Sequence, residues 1–412
     1  MAPSFDRPHD LVVFGATSFV GQILCRHLVA RHGTTGPLRW AIAGRSAAKL
    51  DQVAADTGAD VERIVVDATD AAGLAELAAS TRVLVSTVGP YALHGSLVVA
   101  ACAEAGTDYA DLTGETQWMR RMIDAHHAAA EASGARIVHT CGFDSIPSDL
   151  GVWFTQQRAI ELLDGPCGRI DMRVVAMKGG ASGGTIASMM NVVAEAAKDK
   201  EVRAILADPY ALAPPDLRSG PPQPDVVTPQ RDPDTGHWLG PFVMAAVNTR
   251  VVQRTHALLG RPWGPTFRYR EAMDLGDGPL GAAKAGGLAA GSLAGMGLLA
   301  VKPVRTALAR WVLPKPGEGP SPDQQEAGSF DLRFKGTTAS GARIETRVTG
   351  DRDPGYGSTA KMLGEAAVAL LDLPRDEVGG GFWTPAAAFG DRLVERLEAH
   401  AGLRFTVVDP AA

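Results

Sequence analysis

Short apolar runs alternate with amphipathic stretches through the first third of the chain. Leu11-Val-Val-Phe14 opens the series, and strands are predicted at 11–14, 39–43, 63–67, 82–87, 108–111 and 136–140. Between them, apolar positions recur at helical spacing over 19–31, 47–55, 71–79, 96–105 and 116–133, and the connections are short. Strand and helix in strict alternation require a parallel sheet with helices on both faces, so residues 1–146 are predicted to form a doubly wound, Rossmann-type α/β domain. Thr113-Gly-Glu-Thr116 has the composition of a helix entry, with Glu115 as its cap, and Ser148 and Asp149 fit caps of a following helix.

After Ile146-Pro147 the alternation stops. Residues 170–176, 243–252, 266–273, 329–334 and 342–349 have the period of strands in a second, mostly antiparallel sheet, the last two forming a hairpin around residues 336–341. Residues 147–356 are thus predicted to be an α+β domain for substrate or dimer contacts. Nine prolines between Pro209 and Pro241 leave no sustained period, which predicts a long loop or lid. Residues 357–371 and 387–400 are amphipathic, and helices of about 357–400 are expected to pack back on the first domain.

The composition excludes several classes. With 412 residues, 45% of them hydrophobic, the chain can fill two cores, and its net charge of −6 argues against a nucleic-acid binder. Cys25, Cys102, Cys141 and Cys167 lack metal-ligand spacing, so no metal site is expected and a reducing, cytoplasmic setting fits. No secretory signal is read at residues 1–10. Residues 285–301 are 17 uncharged positions with Gly287, Gly291 and Gly295 in Gly-x-x-x-Gly spacing, followed by Lys302, Arg305, Arg310 and Lys315 among Val304, Leu308, Trp311 and Leu313. Three readings stand for it: a packing or homodimer helix, contact with the inner surface of the plasma membrane, or a true span at the short limit.

Candidate chemistry sits at the strand ends. Gly15-x-x-Ser18-x-x-Gly21, behind a strand and ahead of a helix, presents backbone N–H groups to a pyrophosphate, with Thr17, Ser18, Phe19 and Val20 lining the turn. The second strand ends in Gly44-Arg45 rather than in the acid that would hold a free ribose, so Arg45 pairs with a 2′-phosphate and the expected cofactor is NADP (NADPH). Asp67, after the third strand, completes that side. In an open parallel sheet the ligand lies beyond the carboxyl ends of the strands, which brings Val88, Gly89, Pro90, Gly142 and Asp144 to the cofactor and adds Tyr91 after strand four, Asp111 after strand five and Ser145 after strand six. Tyr91 serves equally as helix-start packing or as a hydroxyl beside the nicotinamide.

Gly15-Ala-Thr-x-Phe-x-Gly21, Ala43-Gly-Arg45, Thr87-Val-Gly-Pro-Tyr91, Gly106 to Glu115 and Cys141 to Asp149 together resemble the saccharopine-dehydrogenase-like oxidoreductases, and within them the trans-acting enoyl reductase branch. The likeness runs on through Asn248-Thr-Arg250, Pro314 to Pro320, Tyr356-x-Ser-Thr-Ala360 and Trp383 to Ala388. It implies an NADPH-dependent enzyme that reduces an α,β-unsaturated polyketide or fatty-acyl thioester for a partner polyketide synthase in complex lipid biosynthesis. Hydride addition to such a substrate leaves an enolate that needs a hydrogen-bond donor and a proton, for which Tyr91, Ser145 and Tyr356 are the candidates. The alternatives are an amino-acid oxidoreductase, for which Arg250, Arg254 and Arg268 offer charge for a carboxylate, and a non-catalytic NADP-binding scaffold at a membrane.

Overall fold

A computed structural model describes residues 7–163, 165–180, 183–223, 225–311 and 319–408. The first unit runs β1 (His9–Phe14), α1 (Phe19–His32), β2 (Trp40–Gly44), α2 (Ala47–Thr57), β3 (Glu62–Val65), α3 (Ala71–Ser80), β4 (Thr81–Ser86), α4 (Tyr91–His94), α5 (Ser96–Ala105), β5 (Asp108–Asp111), α6 (Thr116–Ser133), β6 (Arg136–Val138) and α7 (Ile146–Leu163). Local chemistry explains the boundaries. Ser18, Ser46 and Asp70 accept first-turn N–H groups of α1, α2 and α3, and Gly58, Gly106 and Gly134 end α2, α5 and α6 in the left-handed region.

β7 (Cys167–Lys178) begins the second sheet, followed by α8 (Gly183–Lys198), α9 (Lys200–Ala207), β8 (Gln230–Arg231), β9 (Trp238–Gly240), α10 (Ala245–Leu258), β10 (Arg268–Asp274), α11 (Gly278–Ala300), α12 (Lys302–Trp311), α13 (Pro322–Glu326), β11 (Ser329–Thr338) and β12 (Arg343–Gly350). A π-helical turn, Pro354–Ser358, leads into α14 (Thr359–Asp372), β13 (Gly381–Trp383), α15 (Pro385–Phe389), α16 (Asp391–His400) and β14 (Leu403–Val408).

The first sheet has the order β13-β6-β5-β4-β1-β2-β3 and is parallel throughout. Leu11, Val12 and Val13 of its central strand are fully buried, as a strand covered by helices on both faces requires. The second sheet, β14-β12-β11-β7-β10-β9-β8, is antiparallel except where β10 lies parallel to β7. The chain returns to the first sheet through β13 and through α14, which packs on α1. Arg136, buried at the start of β6, anchors this return by donating to the carbonyls of Leu370 and Leu373 while paired with Asp108.

Several expectations change. Residues 243–252 are not a strand: α10 occupies them, with its β-branched Val247, Val251 and Val252 buried together with Asn248, Arg250, Gln253 and Arg254. A helix satisfies its own backbone and frees those polar side chains to bind neighbouring elements. The alternation also continues one element further, into α7. The proline-rich stretch contributes β8 and β9 to the edge of the second sheet and is otherwise irregular apart from a short 3-10 turn. Residues 285–301 lie almost wholly in α11, and among the described residues no helix is long and apolar enough to cross a membrane. Leu313, Lys315 and the motif residues Pro314 to Glu318 lie outside the described residues, as do the side chains of Leu308, Arg310 and Trp311.

Candidate active site

The glycine turn is built as a cradle. Gly15 is in the left-handed region at φ 91°, and a Cβ there would press on Val88 and Thr87, while a Cβ on Gly21 would strike the Gly15 carbonyl and Ala16. Ser18 is the N-cap of α1: its Oγ accepts from the Gly21 N–H at 2.9 Å and donates to Thr87 Oγ1 at 2.9 Å, and Thr87 in turn donates to the Gly15 carbonyl at 2.8 Å. The serine that replaces a fingerprint glycine therefore ties the turn to the loop after β4. The remaining N–H groups of the first helical turn, at Phe19 and Val20, have no partner four residues back and face the opening at the positive end of the helix. These features fit a dinucleotide pyrophosphate.

The adenosine side fits the 2′-phosphate form. Gly44 ends β2 beside Thr17, and Arg45 follows it, exposed and without an ion pair among the described residues. Asp67 accepts from the Thr69 N–H and hydroxyl at 2.9 and 2.7 Å, which holds its carboxyl below the usual range, with Arg45 adding to the effect. A guanidinium left open at this point is placed for a phosphate rather than for a neutral ribose.

Four segments converge on the other side of the turn. Gly89, in the loop after β4, lies beside Tyr91 and Ser188 of α8. Phe19 meets Tyr356 edge-on, ring centroids 5.2 Å apart, and Gly319 closes over the Phe19 ring. Gly142 lies against Thr359, whose hydroxyl accepts from the Phe143 N–H at 2.9 Å, so the loop after β6 and the start of α14 are joined. Asp353 fixes the π-helical turn by accepting from the N–H groups of Gly180 and Tyr356 at 2.9 and 2.8 Å.

The three hydroxyls proposed from sequence sit in different settings. Tyr91 is buried, and its hydroxyl donates to the Ser86 carbonyl at 3.0 Å and accepts from the Leu112 N–H at 3.4 Å; burial and then Asp111 push its pKa up. Ser145 is fully buried and donates to Asn248 Oδ1 of α10 at 3.0 Å. Tyr356 shares a 3.1 Å hydrogen bond with Thr185 of α8, beside Phe19. Asp144 differs from all three. It is only half-buried, yet its low-dielectric surroundings, with a smaller contribution from Asp111, push its carboxyl up to about 7. It lies near Gly114, at the position where Met244 and Val247 also approach.

The sequence points to Asp111, Glu115, Ser148 and Asp149 but not to the loops and elements that they hold together. Asp111 accepts from His139 Nδ1 at 2.7 Å and from the N–H groups of Thr113 and Thr140 at 3.1 Å, which fastens the loops after β5 and β6 together. Thr140 is held at φ 62°, a left-handed conformation uncommon outside glycine. Glu115 does not cap α6: it crosses to α4 and accepts from the Tyr91 and Ala92 N–H groups at 2.7 and 3.0 Å. Ser148 and Asp149 lie in the first turn of α7, past the cap position, and Asp149 accepts from Thr255 and from the Ala386 N–H. A carboxylate at a strand end, as at Asp111, or in the loop that follows, as at Glu115, is the available signal, but its partner cannot be read along the chain.

Two of the three arginines offered for a carboxylate substrate are committed elsewhere, and the third, Arg268, is exposed on β10. Arg254 donates to the carbonyls of Leu212 and Phe382, and Arg250 to Leu206, Thr249 and Asp225, so α10 carries no open cationic cluster. The cysteines are buried, and burial pushes the Cys25 and Cys167 thiols up to about 12. Among the described residues there is no group of ligands suited to a metal ion.

Comparison with known proteins agrees with this construction. Residues 11–138 match the saccharopine dehydrogenase NADP-binding domain. A Mycobacterium tuberculosis protein named trans-acting enoyl reductase is 41% identical over 417 residues, covering 96% of this chain and 97% of its own. A Mycobacterium ulcerans protein of the same name is 40% identical over 412 residues, covering 96% of each. Among solved structures, the apo saccharopine dehydrogenase (L-Glu forming) of Saccharomyces cerevisiae covers 97% of this chain and all of its own with a TM-score of 0.54 at 15% identity, a likeness of fold. The glycine cradle, Arg45 and the full-length similarity together make this chain a member of the saccharopine-dehydrogenase-like oxidoreductases, in the trans-acting enoyl reductase branch, with NADP as its cofactor.

Proposed function

We propose that the protein reduces the α,β-double bond of an acyl or polyketide thioester carried by a partner synthase, in complex lipid biosynthesis, working in the cytoplasm beside the inner face of the plasma membrane. NADPH, when bound, supplies the hydride that adds at the β-carbon. Gly15, Thr17, Ser18, Phe19, Val20, Gly21, Gly44, Arg45, Asp67, Val88, Gly89, Pro90 and Gly142 are the residues proposed to hold it.

The observation that carries the reading is Asp144, a half-open carboxyl at about 7 in the loop at the domain junction. The carbanion left at the α-carbon takes a proton, and a carboxylic acid that remains partly protonated near neutrality is suited to give it. Tyr356 and Thr185, joined by a hydrogen bond beside Phe19, are the hydroxyl pair proposed to donate to the thioester oxygen as it gains charge. Tyr91 and Ser145 act through position, Tyr91 by fixing the loops after β4 and β5, and Ser145 by anchoring the Asp144 loop to α10.

The names of the Mycobacterium relatives support the reaction and the need for a partner synthase. The test follows NADPH fluorescence in a stopped-flow mixer with a carrier-bound enoyl thioester, and then with the matching saturated thioester. Oxidation is expected with the first alone. NADPH that binds but stays reduced with every enoyl thioester offered would refute enoyl reduction.

A further inference from the structure

We infer that the C-terminal half of α11 is a docking helix that enters the interface of an anionic lipid bilayer. The N-terminal half of the helix is anchored: Gly281 and Ala285 are buried, and Ala285 and Leu288 lie against Gly240 of β9. Beyond it the helix leaves the body of the protein. From Ala290 to Leu298 every residue except the half-buried Gly295 is exposed, including Leu293 at 76%, Met296 at 61% and Leu298 at 51%. A Cβ added at Gly287, Gly291, Gly295 or Gly297 would meet open space, so the Gly-x-x-x-Gly spacing serves no helix contact among the described residues.

Exposure on all sides decides between occupants. A second copy of this chain would cover one side of the helix and would bring like charges together. A bilayer interface needs no fitted partner face and accepts the exposed Leu293, Met296 and Leu298 on whichever side meets it. The charge pattern agrees. Residues 278–317 contain Lys284, Lys302, Arg305, Arg310 and Lys315 and no acid, in a chain whose net charge is −6. Lys302, exposed at the first position of α12, stands where lipid phosphates would lie, and Arg305 closes the end of α11 by donating to the Leu299 carbonyl at 2.7 Å. The exposed stretch from Ala290 to Leu298 is only about 13 Å long, less than half the hydrocarbon thickness, and the helix is buried again at Leu299, so it lies in the interface and does not span.

The position also bears on the substrate. α11 packs on α8, and α8 brings Ser188 to Gly89 and Thr185 to Tyr356, so the docking helix adjoins the helix that covers the cleft. Delivery of a lipid-like acyl chain from the membrane side rests on the reading of the preceding subsection; the docking surface itself does not.

The test is flotation of the full-length protein, with NADPH present, on phosphatidylcholine vesicles and on vesicles containing about 30 mol % phosphatidylglycerol. Wild type is expected to float with the anionic vesicles, and Leu293→Glu with Met296→Glu to reduce its recovery about tenfold or more while the NADPH titration is unchanged. Lys284→Gln with Lys302→Gln is expected to erase the preference for anionic over neutral vesicles. No flotation of wild type, or equal flotation of the Glu variant, overturns the proposal. So does a wild-type dimer in light scattering that the Glu variant splits while neither floats, since the occupant is then a second copy. NADPH oxidation with a soluble carrier-bound enoyl thioester, measured without vesicles, reports separately on the proposed reaction.

Discussion

At the scale of single residues, the nucleotide end of the cleft is built by a glycine turn whose Ser18 caps α1 and bonds Thr87. A strand, a glycine turn and a helix mark the nucleotide-binding domain, and the arginine after Gly44 is the residue proposed to pair with the 2′-phosphate. The role of Ser18 was not legible, because it depends on Thr87, brought alongside by the sheet. Arg45 gives the sharpest test. Arg45→Ala should weaken NADPH by about tenfold to a hundredfold and leave NADH unchanged, as the loss of a charge-assisted pair with the 2′-phosphate requires; paired titrations check it. Equal loss for both nucleotides would assign Arg45 elsewhere. Asp144 gives the second. As proton donor it must be protonated, so turnover should fall as pH rises through about 7, with Asp111 and Tyr91 as the ionisable groups that bear on it. Asp144→Asn should lower kcat about a hundredfold or more, remove that limb of the pH profile and leave NADPH affinity within a few-fold.

Between elements, the chain returns from the second sheet to cover the first, and ionic contacts hold the return. Glu365 of α14 meets His27 Nε2 at 3.0 Å and Arg31 at 3.4 Å on α1, and Arg396 at 2.9 Å on α16. Burial opposes its ionisation, but His27, Arg396 and Arg31 outweigh that cost and hold the carboxyl at about 2. The unfolded chain takes up this proton near pH 4.3, so the stabilisation is fully present above that pH and is lost as pH falls toward 2. Glu365→Gln should therefore cost up to about 3 kcal/mol at neutral pH by urea unfolding, and the gap should narrow below about pH 4. An equal cost at all pH values would make the role one of packing. The same elements show why sequence could not reveal the return: β13 has three residues, and its pairing with Arg136 to Val138 depends on a chain segment more than 240 positions away. α10 was misread for a related reason. Its valines carry a strand-like signal, while the polar residues between them are buried against other elements rather than facing water.

For the whole molecule, the question is how the two sheets stay in register around the cleft, and a buried polar seam answers it. Asn248 on α10 accepts from Ser145, and its amide donates to Ser148 of α7 at 3.0 Å and to Glu271 of β10 at 2.9 Å; Tyr269 donates to Glu271 at 2.6 Å. The loop that carries Asp144 is thereby tied to the second sheet, so a change in the seam reaches the cleft. Burial pushes Glu271 up to about 7, against the hydrogen bonds from Tyr269, Ser148 and Asn248. The sign is opposite to that of Glu365. An unfolded glutamate ionises from about pH 4.3 while the folded one keeps its proton until about 7, so this group costs stability progressively as pH rises through that window and by a constant amount above it. Glu271→Gln keeps the shape and the neutral state. It should match wild type within about 1 kcal/mol near pH 4.5 and exceed it by up to about 3 kcal/mol at pH 8, measured by urea unfolding. Because Glu365 acts below this window and Glu271 within it, the two variants separate the acid limb of the stability profile from the neutral one. If Glu271→Gln is less stable than wild type at pH 8, folding favours the ionised carboxylate and the seam is held by charge rather than by neutral hydrogen bonds.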